Sequence, residues 1–218
     1  MRSRSGAEFH VFVSRPLLPP PVDGYPVVYM LDANAAFGTM TEAVRMQSAR
    51  PEATGVVPAV VVGIGYPTDL PLDLARRTFD YTPEVERAAL SARPDGTEWP
   101  PTGGAGAFLD FIEDELKPTI AAVALSDGGP DLRLMIAVGA LEQTPSPREG
   151  ETPAGARRAA WIEKNRMVDN AREMAARLAR LAPRGLQVAY EEFPGENHVS
   201  VIPPLISRAL RFALATRD

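Results

Sequence analysis

A chain of 218 residues with 45% apolar content can bury one sizeable core, so a single domain spanning 1–218 is the expectation. Its formal net charge of -5 argues against a phosphate-backbone binder, which shows a basic face, and nucleic acid is not expected as a partner. The absence of cysteine excludes disulfides, thiolate zinc sites and a cysteine nucleophile, and the two histidines, His10 and His198, form no His-Glu-x-x-His helix. A metal is not implied.

Met1 to Glu8 carries Arg2 and Arg4 but runs straight into an alternating segment, with no apolar stretch that reads as a signal peptide. No segment approaches the roughly 20 apolar residues of a membrane span. The expectation is a soluble cytoplasmic protein without a membrane partner. Its 22 prolines fall mostly between periodic segments, where they punctuate a compact fold.

Glu8 to Ser14 alternates Phe9, Val11 and Val13 with polar neighbours, the period of a half-buried edge strand. A proline-rich loop follows to Gly24. Val27 to Leu31 and Val57 to Ile64 are continuous apolar runs of buried parallel strands, and Ala36 to Arg50 between them has helical periodicity, giving a βαβ unit. Tyr66 to Pro101 is polar, proline-rich and aperiodic, and reads as a functional loop. A helix from Gly106 to Ala122 comes next. Leu132 to Val138 reads as a buried strand, Arg157 to Ala182 as one long amphipathic helix stopped by Pro183 and Gly185, Gln187 to Phe193 as a strand near the sheet edge, and Pro203 to Thr216 as a last helix. Strand alternating with helix predicts an α/β fold, a parallel-rich sheet flanked by helices with its site at the carboxyl ends of the strands.

The chemistry concentrates on few residues. His198, in the turn Pro194-Gly195-Glu196-Asn197-His198, lies between the last strand and the last helix, where a neutral imidazole can take a proton from a hydroxyl. Glu142, just past the strand at Leu132 to Val138, is an acid that can orient that imidazole, and the order acid then histidine is the hydrolase order. The backbone amides of Ala33, Asn34 and Ala35 lie where a strand gives way to a helix and are placed to hold an oxyanion, although Asn34 is also an ordinary helix-cap residue. Arg76 and Arg77 are candidates for anionic substrate groups or plain solvated charges. Gly63-Ile64-Gly65 lacks the third glycine of a dinucleotide fingerprint.

Several stretches occur in a telling order: Leu31-Asp32-Ala33-Asn34-Ala35-Ala36-Phe37, Val62-Gly63-Ile64-Gly65-Tyr66-Pro67, Arg76-Arg77-Thr78-Phe79-Asp80-Tyr81-Thr82-Pro83, Gly103-Gly104-Ala105 leading to Phe108, Val138 to Gln143, and Glu196-Asn197-His198. Over nearly the whole chain they resemble the esterase branch of the α/β-hydrolases that includes the ferric-siderophore esterases of bacteria. The resemblance implies a Ser-His-acid mechanism on a small-molecule ester such as a siderophore, with the base at His198 and no cofactor. That family usually carries glycine where Ala33 stands.

A larger departure concerns the nucleophile. The resemblance implies a strand, a Gly-x-Ser-x-Gly elbow and a helix between Leu116 and Leu132, yet only Thr119 to Asp131 are available, too few for a βαβ unit of about 30 residues. An internal deletion near 119–131, removing about one strand and the nucleophile helix, is therefore expected. Ser126, in Ala124-Leu125-Ser126-Asp127-Gly128-Gly129, is the remaining serine that resembles an elbow, although its surroundings read as a loop. Two functions stay open: an active esterase using Ser126 or an unexpected hydroxyl, or a non-catalytic relic, a binding domain or truncated product that keeps the pocket loops without the nucleophile. Loss of a central strand also predicts exposed apolar edges at Val57 to Ile64 and Leu132 to Val138, and self-association through them.

Overall fold

The computed structural model describes residues 1–90, 92–124, 132–146, 151–181 and 186–215. Among these residues the chain groups into two compact units, one made of 1–90, 99–124 and 214–215, the other of 92–98, 132–146, 151–181 and 186–213.

The first unit holds a sheet of three strands, β1 (His10–Ser14), β2 (Val27–Met30) and β3 (Val60–Gly65), in the order β1-β3-β2. β2 and β3 run parallel and are joined by α1 (Ala33–Gln47), which is the expected βαβ unit, while β1 pairs antiparallel with the other side of β3. The helix seats closely because Gly63 has no side chain: a Cβ there would come within 2.6 Å of the Ala33 Cβ and 2.7 Å of the Phe37 ring. A short helix, α2 (Pro51–Thr54), ends at Gly55 with φ 73, a conformation that favours glycine.

Between β3 and residue 101, where sequence periodicity suggests only loop, the structure forms α3 (Leu74–Tyr81) and a 3₁₀ turn at Arg87–Ala89. The Asp73 carboxylate accepts the Arg76 amide and caps α3. Its apolar residues Leu74 and Phe79 are exposed and its buried residue is Asp80, so the helix turns its polar side inward, the reverse of the usual pattern. Next come α4 (Ala105–Phe111), a π-helical turn at Ile112–Leu116 and α5 (Lys117–Ala124), which together cover the expected helix. Phe9, Val60, Val62, Ile64, Phe108, Phe111 and Leu116 form the core, and Phe9 stacks on Phe111 with ring centroids 4.5 Å apart.

The second unit is built on β4 (Leu132–Gly139) and β5 (Leu186–Phe193), parallel and in register from Leu132 opposite Leu186 to Gly139 opposite Phe193. α6 (Pro153–Asn165) and α7 (Met167–Leu181) precede β5, and α8 (Ile202–Ala213) follows it. The single long helix expected over Arg157 to Ala182 is therefore two helices, because Arg166 adopts a left-handed conformation (φ 47, ψ 45) and its guanidinium pairs with Asp169 and Glu173. α7 packs on both strands and α8 on β4, burying Val138, Val168, Ala175, Ile206 and Leu210.

The strands of the described residues thus form two sheets with no ladder joining them. Among the described residues the arrangement is strands alternating with helices, the α/β class that the sequence predicts. The expected edges need one correction. β3 is paired on both sides and all six of its residues are buried, so Val57 to Ile64 offers no open edge; the sheet margin beside it is β2, whose residues are half-buried. β4, by contrast, pairs among the described residues with β5 alone.

Candidate active site

The register of β4 and β5 brings their carboxyl ends level, and that delivers the two catalytic candidates to one place. Past Gly139 the chain makes a 3₁₀ turn, Ala140–Glu142, and the Glu142 side chain folds back so that Oε1 accepts the Gly139 amide at 2.8 Å. Past Phe193 the chain turns through Gly195, at φ 79, and the Asn197 carboxamide accepts the amides of Val199 (2.9 Å) and Ser200 (3.1 Å). The Ser200 hydroxyl in turn accepts the Asn197 amide at 2.9 Å, so that serine is committed to shaping the loop.

His198 sits at the tip of this turn. Its Nδ1 lies 2.6 Å from Glu142 Oε2, while 76% of the histidine side chain is exposed and 4% of the glutamate side chain. A carboxylate only accepts, so neutral His198 carries its proton on Nδ1 and donates it to Glu142, leaving the Nε2 lone pair outward. The two loops meet through the backbone as well: Leu141 N–H donates to Glu196 C=O at 2.9 Å, and a Cβ on Gly139 would lie 2.4 Å from that carbonyl oxygen. Gly139 and Asn197 shape these two loops and are positions that composition and periodicity do not single out. The available signal for Gly139 was a glycine at the end of an apolar strand, three residues before an acid.

Ser126 lies outside the described residues. The turn expected to hold an oxyanion belongs to the first unit. There Asp32 adopts φ 53 and ψ 38, a left-handed conformation that an aspartate tolerates at a cost of about 1–3 kcal/mol. Its carboxylate is gripped by Arg77 (2.7 and 3.1 Å) and by the Tyr81 hydroxyl (3.2 Å), and the Asp32 carboxylate and hydrogen bond raise the Arg77 pKa further above its usual range. The Ala35 amide donates to the Asp32 carbonyl at 3.0 Å, which leaves the first two amides of α1, Ala33 and Asn34, as those without an intrahelical partner. The Asn34 side chain is a latch: its Nδ2 donates to the carbonyls of Tyr66 (3.0 Å) and Thr68 (3.1 Å), and its Oδ1 accepts the Tyr66 amide at 2.8 Å.

Arg76 is used inside the same unit. Its guanidinium stands 4.9 Å from the Tyr66 ring centroid and 5.3 Å from that of Phe9, and it reaches the buried Asp80 carboxylate at 3.4 Å. Burial pushes the Tyr66 phenol well above the ordinary tyrosine pKa and raises that of Tyr81. Among the described residues no group of three or more His, Cys, Asp or Glu side chains is placed to hold a metal ion, and no helix is long and apolar enough to cross a membrane.

No protein-family model matches the chain. It is similar to the ferri-bacillibactin esterase BesA of Bacillus subtilis, 43% identical over 245 residues that cover 94% of this chain and 84% of that protein. Since 94% of 218 residues is about 205, about 40 of the 245 aligned positions have no residue of this chain opposite them. Among solved structures, the BES protein from Bacillus cereus aligns with a TM-score of 0.74 and 34% identity, covering 98% of this chain and 93% of that one. The siderophore hydrolase EstA from Aspergillus nidulans aligns with a TM-score of 0.75 over 96% of this chain and 90% of that one, and at 24% identity that likeness speaks to the fold alone.

Proposed function

Because the chain belongs to the siderophore-esterase family of the α/β-hydrolases, we propose that it acts on carboxylic esters of the siderophore class and that Glu142 and His198 are its acid–base pair. The observation that carries this reading is the 2.6 Å contact between His198 Nδ1 and a buried Glu142 carboxylate anchored on the Gly139 amide. In the mechanism, His198 Nε2 takes the proton of the attacking hydroxyl, Glu142 holds the tautomer and stabilises the imidazolium, and the imidazolium returns the proton to the leaving alcohol. Water then resolves the acyl-enzyme by the same route in reverse. We assign the nucleophile to Ser126 and the oxyanion role to the amides at Ala33 and Asn34, with the Ala35 amide closing the turn. Arg76 and Arg77 enter the proposal through that turn and its neighbours, supported by the partners both guanidiniums have in the fold, and a direct grip on an anionic substrate is the alternative role for them.

A second reading is favoured by the roughly 40 unfilled positions of the alignment and by the division of the strands into two sheets: a non-catalytic member of the family that binds the ester without turning it over. Hydrolysis of an ester siderophore by the parent and by Ser126→Ala, followed by chromatography of the products, separates the two. Cleavage by the parent and its loss in the variant is the expected result; absence of cleavage alongside retained ligand binding would establish the second reading. A cytoplasmic setting and self-association through the β2 and β4 margins belong to the same proposal, and a sharply melting monomer in size-exclusion chromatography would argue against the association.

A further inference from the structure

We infer that the Glu142–His198 pair is by itself an ester-cleaving centre for activated aryl esters, with His198 Nε2 as the nucleophile and no serine required. The inference shares with the reading above only the pair, and it does not rest on Ser126.

Three features of the geometry lead to it. Glu142 Oε2 receives the Nδ1 proton, so the lone pair of the neutral ring is at Nε2. The imidazole side chain is 76% exposed, so a small ester can reach the ring from solvent. The carboxylate facing Nδ1 is 4% exposed and already fixed by the Gly139 amide, so the positive charge that the ring acquires on attack meets a preorganised anion.

The step balances without another reagent. Nε2 attacks the ester carbonyl carbon, the carbon–oxygen bond to the phenol breaks, and the phenolate departs with its electron pair. The product is an N-acylimidazolium whose Nδ1–H still faces Glu142. Water adds to the acyl carbon, the carbon–nitrogen bond breaks with its electrons returning to Nε2, and a carboxylic acid and a proton leave. The substrate class follows from the leaving group. A phenolate of low basicity leaves more readily than imidazole, whereas an alkoxide does not, and an alkyl ester returns to starting material. The centre therefore takes aryl esters. His198 is the catalytic residue and Glu142 a positioning residue.

The test uses p-nitrophenyl acetate with the full chain in a Ser126→Ala background, so that any serine route is absent. Turnover should persist in that background and fall at least tenfold on adding His198→Ala, a change on an exposed turn. His10→Ala should leave the rate unchanged. Glu142→Gln should lower the rate several-fold and Glu142→Asp should restore part of it, a rescue that a merely structural role does not require. Rapid acid quenching followed by peptide mass analysis should find one acetyl group on the peptide containing His198. Equal rates with and without His198 in the Ser126→Ala background overturn the inference. A His198-dependent rate with no acetyl group on that peptide overturns the nucleophile assignment, leaving a base. Complete loss of turnover on Ser126→Ala alone sinks this inference and supports the serine reading, whereas parent activity indifferent to His198→Ala removes both.

Discussion

Gly139→Ala tests how the site is held together. Gly139 has φ -75 and ψ 133, a conformation any residue adopts, so the effect of the new methyl is steric and not torsional. The added Cβ would lie 2.4 Å from the Glu196 carbonyl oxygen, 2.8 Å from its carbon and 3.0 Å from the Asn197 oxygen. All three are backbone atoms of the loop that carries His198, so no flexible side chain can swing aside. Overpacking of this kind costs about 1–3 kcal/mol. Displacing the loop also breaks the Leu141 amide to Glu196 carbonyl bond, now 2.9 Å, which adds about 0.5–1.5 kcal/mol. The sum is about 1.5–4.5 kcal/mol, which for a chain of this size lowers the thermal midpoint by about 3–18 °C. The same movement draws His198 away from Glu142, so the proton NMR signal of the bonded Nδ1–H should weaken or disappear. Thermal unfolding by circular dichroism and that resonance are the two readouts. A stability change below about 0.5 kcal/mol with the resonance intact would refute the argument.

Arg76→Ala should destabilise the chain by about 2–4 kcal/mol in urea unfolding, because it leaves the buried Asp80 carboxylate without its ion pair and removes contacts with two rings; an arginine that served only to grip substrate would leave stability unchanged. Asn34→Ala should cost about 2–4 kcal/mol, since it strips three bonds that tie α1 to the backbone after β3, and a loss under about 1 kcal/mol by the same assay would contradict the latch. Burial raises the phenol pKa values of Tyr29, Tyr66, Tyr81 and Tyr190 above the ordinary value of about 10. These groups leave stability independent of pH below about 10 and reduce it above, because the unfolded chain then releases protons that the folded chain still holds. Phenolate absorbance should accordingly rise later in the native protein than in urea, and superimposable titration curves would disprove the burial effect.

How much was legible differs from element to element. The βαβ unit of β2, α1 and β3 was readable because two apolar runs flank a helical period, and both are local patterns. α3 was not, because its inward groups are Arg76, Arg77 and Asp80, held by rings and carboxylates and not by an apolar stripe. Its Asp73 cap was a usable signal that the surrounding prolines obscured. The break at Arg166 was invisible because apolar periodicity continues on both sides of it. At the site, Glu142 and His198 were both readable from their positions after strands, whereas the role of Gly139 depends on how closely a distant loop approaches.

The sequence alone determined the class of the fold, the candidates for acid and base, and, set beside the family it resembles, the shortage of residues where a nucleophile strand and helix belong. The first two follow from periodicity and from position along the chain, and the third from the resemblance to a family that has those elements. Only the tertiary structure decided that β3 and not β2 is the centre of its sheet, that Asp32 is held left-handed by Arg77 and Tyr81, and that Glu142 meets His198 at 2.6 Å. Strand order and side-chain pairing across 56 residues are set by which distant surfaces bury one another, and no local pattern encodes that choice.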